Sequence, residues 1–385
     1  MNASRTVLVL GGGVGGLVAA HELRRLLPTG HRVILVDREP QFVFAPSLLW
    51  LMTGRRTAAG ISRPLAQLKR RGIDVVQGEI ARIDAAHREV TVGGEKLTGD
   101  YLVIALGADL VPEAVPGLLA AGHDFYTVAG AEALREALTE FNGGKLVVLT
   151  AAPAYKCPAA PYEAAMLLEH YCRSKKVRRH TQIDLYAAEP GPMGVTGPEV
   201  SAGVRQLVES KGITYHPEHQ VREVDASARR LRFTNGAAAT YDLLAYVPPH
   251  RAPRVVRESG LVSASGWIPV DGHTMETTFE HVYALGDVVN IPLKVGKPLP
   301  KAGVFAHAEA AVVARNIARD ITGSGPPAAF DGMGACFVET GGGRAAYGKG
   351  NFYAEPVPEV KLHAPAWHWH IGKIWFEKSW LRRWS

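Results

Sequence analysis

Three groups of residues in this chain have the types and the spacing to do chemistry. The first is Gly11, Gly13 and Gly16, a G-x-G-x-x-G turn directly behind the apolar run Thr6–Leu10. The first glycine permits the tight turn, the second lets backbone approach a pyrophosphate, and the third lets helix and strand pack closely. Asp37 closes the next apolar run, Arg32–Val36, about 20 residues on, where a ribose ligand belongs. The second group is Gly286-Asp287, behind the apolar run Val282–Leu285; it places a carboxylate where it can accept a hydrogen bond from a polyol hydroxyl. The third is thiol chemistry. Cys157 stands in Tyr155-Lys-Cys-Pro-Ala-Ala-Pro161, just ahead of a helix expected to start at Pro161. The helix N-terminus and Lys156 are both expected to lower the pKa of that thiol. Cys336 lies in the last part of the chain, and Cys172 reads as a packed thiol in a helical run.

These groups need elements to hold them. Thr6–Leu10, a helix over Leu17–Leu27 and Arg32–Val36 form a βαβ unit. Ile73–Gln77 and Tyr101–Leu106 are further strands. Lys145–Thr150 opens a second α/β unit, with a helix over Pro161–Cys172, a strand at Ile183–Ala187, a helix over Glu199–Ser210 and a strand at Tyr241–Val247. Val282–Leu285 and a helix over Val304–Asp320 return to the first unit. Strands alternating with helices imply parallel sheets covered on both faces. The fold class is therefore α/β, with two Rossmann-like dinucleotide-binding domains, the second inserted into the first. The expected division is 1–108 and 251–325 for the first domain and 109–250 for the insert, with 326–385 as a Gly- and Trp-rich C-terminal segment. The insert lacks the glycine turn: Ala151-Ala-Pro-Ala-Tyr-Lys-Cys157 follows its first strand. Pro153 removes an N–H and Cβ atoms crowd the turn, so the electron donor is expected not to be a nicotinamide.

Composition narrows the partners. The 385 residues are 47% hydrophobic and 21% charged, with a net charge of +6; that is mildly basic and not the dense patch of a nucleic-acid binder. Three cysteines make no secreted disulfide framework. No signal peptide is expected, because an apolar strand pattern begins at Thr6, and no apolar run approaches the roughly 20 residues of a spanning helix. No metal site is expected.

The motifs resemble those of a known family. Thr278–Asp287 resembles the second FAD fingerprint of the glutathione-reductase-like flavoproteins with two dinucleotide-binding domains, and Asp100–Ala108 resembles their connecting A-T-G motif. Tyr155–Glu163 and Cys336-Phe-Val-Glu-Thr-Gly341 are similar to the two redox-cysteine motifs of sulfide:quinone oxidoreductases and of the flavoprotein subunit of flavocytochrome c sulfide dehydrogenases. Phe42-Val-Phe-Ala-Pro-Ser47 and Pro300-Lys-Ala-Gly303 resemble F-x-F-x-P-S and P-K-x-G of the quinone reductases. The resemblance implies FAD held by Gly11, Gly13, Gly16, Asp37, Arg38, Ser47, Ile80, Ala105, Gly107, Gly286, Asp287, Lys301 and Gly303. It implies that Cys157 and Cys336 are the catalytic pair, joined as a disulfide with or without extra sulfur between them. Lys301 would stand near the pyrimidine end of the isoalloxazine, where a cation stabilises reduced flavin. Tyr126 stands where some members attach FAD through a cysteine, and Gln41–Ala45 contains no cysteine, so the FAD is expected to be noncovalent. Gly191–Glu199 contains no histidine, which leaves the proton acceptor unassigned.

The tail completes the reading. Trp367, Ile371, Ile374, Trp375, Leu381 and Trp384 are expected to share one helical face, with Lys373, Lys378, Arg382 and Arg383 beside it. Such a helix suits a membrane interface. Trp375-Phe376-Glu-Lys378 resembles the F-E-K region that holds the quinone in the family. The expected activity is oxidation of sulfide to persulfide or polysulfide sulfur through Cys157 and Cys336, with electrons passed by FAD to a membrane quinone. The expected location is peripheral on the cell membrane, with room for a homo-oligomer. Removing the tail after Pro365 is expected to spare the cysteine chemistry. The alternatives are a flavocytochrome-type subunit with a cytochrome acceptor, an NADH:quinone oxidoreductase, and a non-catalytic FAD-binding sensor.

Overall fold

The computed structural model describes residues 4–384. Its first sheet has five parallel strands, in the order Val282–Ala284, Tyr101–Ile104, Thr6–Leu10, Arg32–Asp37 and Asp74–Gln77. The helices Val14–Leu26 and Gly303–Thr322 pack on each other and cover one face. That cover explains why the strands carry continuous apolar runs: Val7, Leu8, Val9 and Leu10 are fully buried. The register pairs Leu10 with both Val36 and Ile104. Gly11, Asp37 and Ala105 therefore emerge together at the C-terminal edge of the sheet, where open α/β sheets bind ligands.

The second sheet repeats the plan: His123–Asp124, Leu243–Val247, Gly144–Thr150, Thr181–Tyr186 and Thr214–His216, all parallel. Chain passes between the two sheets through Asp109–Leu110 and His250–Arg251, which pair antiparallel. Each sheet also carries an antiparallel three-stranded meander, Ile80–Asp84 with Glu89–Val92 and Glu95–Thr98 on the first, and Val221–Asp225 with Arg230–Phe233 and Ala238–Thr240 on the second.

The C-terminal segment is a third structural layer. Met333–Gly341, Arg344–Asn351 and Glu359–Ala366 form an antiparallel sheet, and the helix Trp367–Arg383 follows. Composition alone gave no strand periodicity here, because neither face of this sheet is continuously apolar. Among the described residues, no helix is long and apolar enough to cross a membrane.

Candidate functional site

The glycine turn is shaped by contacts as much as by flexibility. Gly11 has φ +101°, and a Cβ there would lie 2.4 Å from the Ala105 carbonyl oxygen. A Cβ on Gly16 would lie 1.8 Å from the Gly11 oxygen. At Gly13 a Cβ would meet nothing within 4 Å, so open space stands above the turn at the start of the helix, where a pyrophosphate sits. Asp37 accepts from the Gly12 N–H and, at 2.7 Å, from the Glu39 N–H. Gly107 and Gly286 both adopt positive φ. Asp287 is half-buried, and burial raises its carboxyl pKa against the opposing pull of Lys156 and Lys301. A carboxylate in that state is an acceptor in need of a donor. Glu309 is fully enclosed next to it, accepts from the Gly286 N–H at 2.7 Å, and is pushed up to about 7 by burial.

The other expected cofactor residues occupy several environments. Lys301 donates to the carbonyl oxygens of Asp287 and Val289 at 2.7 and 2.9 Å and lies 3.5 Å from the centre of the Trp267 ring. Burial lowers its pKa to about 8. Gly303 begins the long helix, Ile80 is buried in the first meander, and Arg38 is exposed. Ser47 is fully buried, and its hydroxyl donates to Glu377 of the C-terminal helix.

Cys157 and Cys336 come together although they lie on different layers. Both are free thiols, and each lies close enough to Glu163 to feel its charge. Cys157 sits at φ +52°, a conformation that costs a non-glycine residue about 1–3 kcal/mol. It is held there by its N–H donating to the Lys301 carbonyl at 2.7 Å and its carbonyl accepting from Ala160 at 2.9 Å. Tyr126 caps the turn by donating to the Lys156 carbonyl at 2.9 Å. The expectation of a lowered Cys157 pKa is overturned. Burial, then Cys336 and Glu163, push that thiol up, and Cys336 is pushed up to about 12. Lys156 turns its charge toward Asp287 and His250 instead. The cation that favours both thiolates is Lys373.

Lys373 belongs to a buried polar network that pattern reading did not find. Its ammonium donates to Glu163 at 2.6 Å, and the Glu339 N–H donates to the same oxygen at 2.8 Å. Glu339 is fully buried and pairs with His370 at 2.9 Å. Burial raises the Glu163 carboxyl against the pull of Lys373. Four charged or ionisable side chains from three distant stretches thus meet beneath the thiols. Each was present in the cysteine motifs or the tail, but nothing in their spacing says that they touch.

The tail departs from expectation. Its apolar residues do not share one face. Trp380, Leu381 and Trp384 are buried against the first domain, with Trp380 packed on Phe42 and Phe44 at 4.7 and 5.4 Å. Trp367, Ile371 and Trp375 are 67%, 53% and 72% exposed on another side. The quinone candidates divide in the same way. Phe376 packs inward on Phe44 and Phe337, while Trp375 and Lys378 face outward. The helix is a core element that also carries Lys373, so its removal cannot leave the cysteine site intact, and that expectation is withdrawn.

In the inserted domain, the crevice beyond Gly144–Thr150 is lined differently. The Glu189 carboxylate accepts from Tyr155, from Thr150 at 3.1 Å and from Tyr162 at 3.3 Å. The hydroxyls of Thr150, Tyr155 and Tyr162 are thus gathered on one carboxylate at the edge of this sheet. Among the described residues no cluster of side chains could hold a metal ion.

Comparison with known proteins agrees with this geometry. The pyridine nucleotide-disulphide oxidoreductase family matches residues 5–314. The chain is 29% identical to a sulfide-quinone reductase of Aquifex aeolicus (strain VF5), over 98% of this chain and 90% of that one. It is 24% identical to the mitochondrial sulfide:quinone oxidoreductase of Mus musculus, over 91% and 79%. The solved structure of the Aquifex aeolicus sulfide:quinone oxidoreductase superposes with a TM-score of 0.90 at 26% identity, over 99% of this chain and 91% of that one. This chain belongs to the pyridine nucleotide-disulphide oxidoreductase family; it is an oxidoreductase enzyme and a flavoprotein whose cofactor is FAD. The open space above Gly13, and the Asp287 carboxyl, to which no side chain or backbone N–H donates among the described residues, fit that cofactor.

Proposed function

We propose that this family member oxidises sulfide at Cys157 and Cys336 and delivers the electrons, by way of FAD, to a membrane quinone. The observation that carries the reading is the convergence of the two thiols on one buried, positively and negatively charged site beside Lys301. In the oxidised enzyme the two sulfurs form a disulfide. Hydrosulfide attacks one sulfur, the S–S bond breaks, and a persulfide and a thiolate result. The thiolate then bonds to the outer persulfide sulfur, which bridges the cysteines with one added sulfur and releases one proton and two electrons. FAD supplies the two-electron relay. Glu163 takes the proton: among the described residues the two hydrogen bonds to its carboxylate end on Oε1, and Oε2 is the oxygen for that role. Lys373 favours the thiolate and keeps Glu163 in place. FAD is held noncovalently by the glycine turn, Asp37, Asp287 and Lys301.

The quinone ring packs on the inward aromatic group Phe44, Phe337 and Phe376, and the exposed Trp367, Ile371 and Trp375 rest in the membrane interface. Against an NADH-linked activity stands the glycine-free turn Ala151–Cys157, which offers no cradle for a pyrophosphate. Anaerobic titration with sulfide, followed by flavin absorbance, should bleach the flavin stoichiometrically, and a short-chain quinone should restore the colour. NADH should reduce it poorly. Rapid bleaching by NADH with no response to sulfide would replace this reading with the dehydrogenase one.

A further inference from the structure

Beside the C-terminal helix lies a cleft of about 620 Å³ lined by Arg56, Arg63, Lys378 and Arg382 around one carboxylate, Glu377. Its floor is built. Glu377 is 3% exposed, accepts from Ser47, and is held by Arg56 through contacts of 2.7, 2.9 and 3.0 Å. Arg56 in turn lies over the Trp50 ring at 4.5 Å. That pair is self-compensating. The other three cations are not. Arg63 is oriented by donating to the Ser62 carbonyl at 2.7 Å, and among the described residues no carboxylate pairs with Arg63, Lys378 or Arg382. The cleft thus presents three positive charges that no carboxylate of the described residues compensates.

Its position on the helix identifies the occupant. Trp367, Ile371, Trp375, Lys378 and Arg382 follow one another at intervals of four, four, three and four, which is a single stripe along a helix surface. The first three are exposed apolar side chains, and the last two are cleft cations. Lys378 stands less than one turn from Trp375, about 5 Å along the axis. A membrane that receives Trp375 at its headgroup level must bring its phosphates to the cleft. We propose that this cleft binds the phosphate headgroup of an anionic phospholipid and thereby fixes the depth and direction in which the enzyme docks. The proposal rests on the membrane reading given above and adds to it a specific lipid site.

Vesicle binding by the FAD-loaded enzyme tests it. The probes are phosphatidylcholine vesicles and vesicles in which phosphatidylglycerol replaces part of the phosphatidylcholine. Wild type should prefer the anionic vesicles, with a preference that fades as salt rises. Removal of each cation should weaken that binding about fivefold, so the Arg63→Ala/Arg382→Ala double variant should lose roughly thirtyfold on anionic vesicles and nothing on phosphatidylcholine. Flavin content and melting temperature establish that the variant is folded. An Arg222→Ala/Arg230→Ala variant removes the same charge from the exposed meander of the inserted domain and should bind like wild type. Equal binding of wild type to both vesicles, or equal loss in both double variants, would overturn the headgroup site while leaving membrane docking in place. Absence of binding to either vesicle would remove the membrane reading and this site with it.

Discussion

The two parallel sheets are built alike and end in different chemistry. Each has five strands, a central strand that opens into a turn and a helix, and an antiparallel meander alongside. In the first, the turn is Gly11–Gly16, with space above Gly13 and a Cβ excluded at Gly11 and Gly16. In the second, the turn is Ala151–Cys157, with non-glycine residues at positive φ at Ala154 and Cys157 and a carboxylate, Glu189, behind it. The crevice at the edge of a parallel sheet comes with the architecture. What enters it depends on whether the turn leaves room and donors for a phosphate or sets a reactive side chain there instead. One domain's turn leaves open space above Gly13, and the other's carries a thiol.

The sharpest break of this comparison is at the thiol. Cys157→Ser and Cys336→Ser should each keep FAD and slow sulfide reduction of the flavin by more than about a hundredfold, roughly 2.7 kcal/mol of barrier. A variant that keeps a tenth of the wild-type rate in stopped-flow would disprove the two-thiol scheme. Next come the supports of the cysteine site in the tail. Lys373→Met leaves Glu163 buried without its cation and should destabilise the fold by about 3–5 kcal/mol, with recovery when Glu163→Gln is added. Trp380→Ala should cost about the same, 3–5 kcal/mol, by opening a cavity against Phe42 and Phe44. Denaturant melts of the single and double variants measure both, and a Lys373→Met protein as stable as wild type would show that the network is not a structural unit.

A smaller effect should appear beside the cofactor turn. Burial raises the Glu309 carboxyl to about 7 from an ordinary 4.5, so the folded protein holds a proton there that the unfolded chain has released. Stability should therefore fall as pH rises between those two values, by on the order of 3 kcal/mol, and stay level above them. Glu309→Gln should flatten that slope in melts of the FAD-free protein, and an unchanged slope would assign it to another group. The smallest change is expected at Trp375→Ala, which should alter stability by less than about 0.5 kcal/mol while weakening vesicle binding. A large loss of stability there would mean that the exposed half of the helix is packed in the assembly.

Much was legible without coordinates because it depends on neighbours in sequence. The glycine spacing, the apolar runs of buried parallel strands and the proline-flanked Cys157 turn are local signals, and strand-turn-helix units follow from them. The resemblance carried both cysteine motifs across nearly the whole chain. The tail shows where such reading stops. Apolar residues at helical spacing say that a face is apolar, but Trp380 and Trp375 have the same hydropathy and opposite surroundings, because Phe42 and Phe44 pack on Trp380 while Trp375 stays exposed among the described residues.

The thiol pKa shows the limit more strongly. Seen alone, Lys156 and the helix start argue for a stabilised thiolate. In the fold Lys156 faces Asp287 and His250, burial raises the thiol, and the cation that opposes burial is Lys373, 216 residues away along the chain. Short-range pattern was enough for the parallel sheets and the glycine turn, while the pairing of Cys157 with Cys336 came only as what the family resemblance implies. Tertiary structure alone decided which charges face those thiols, which half of the last helix is core, and where three cations gather into one cleft. Electrostatics and burial depend on distance in space, and segments far apart in the chain leave no periodic trace of where they meet.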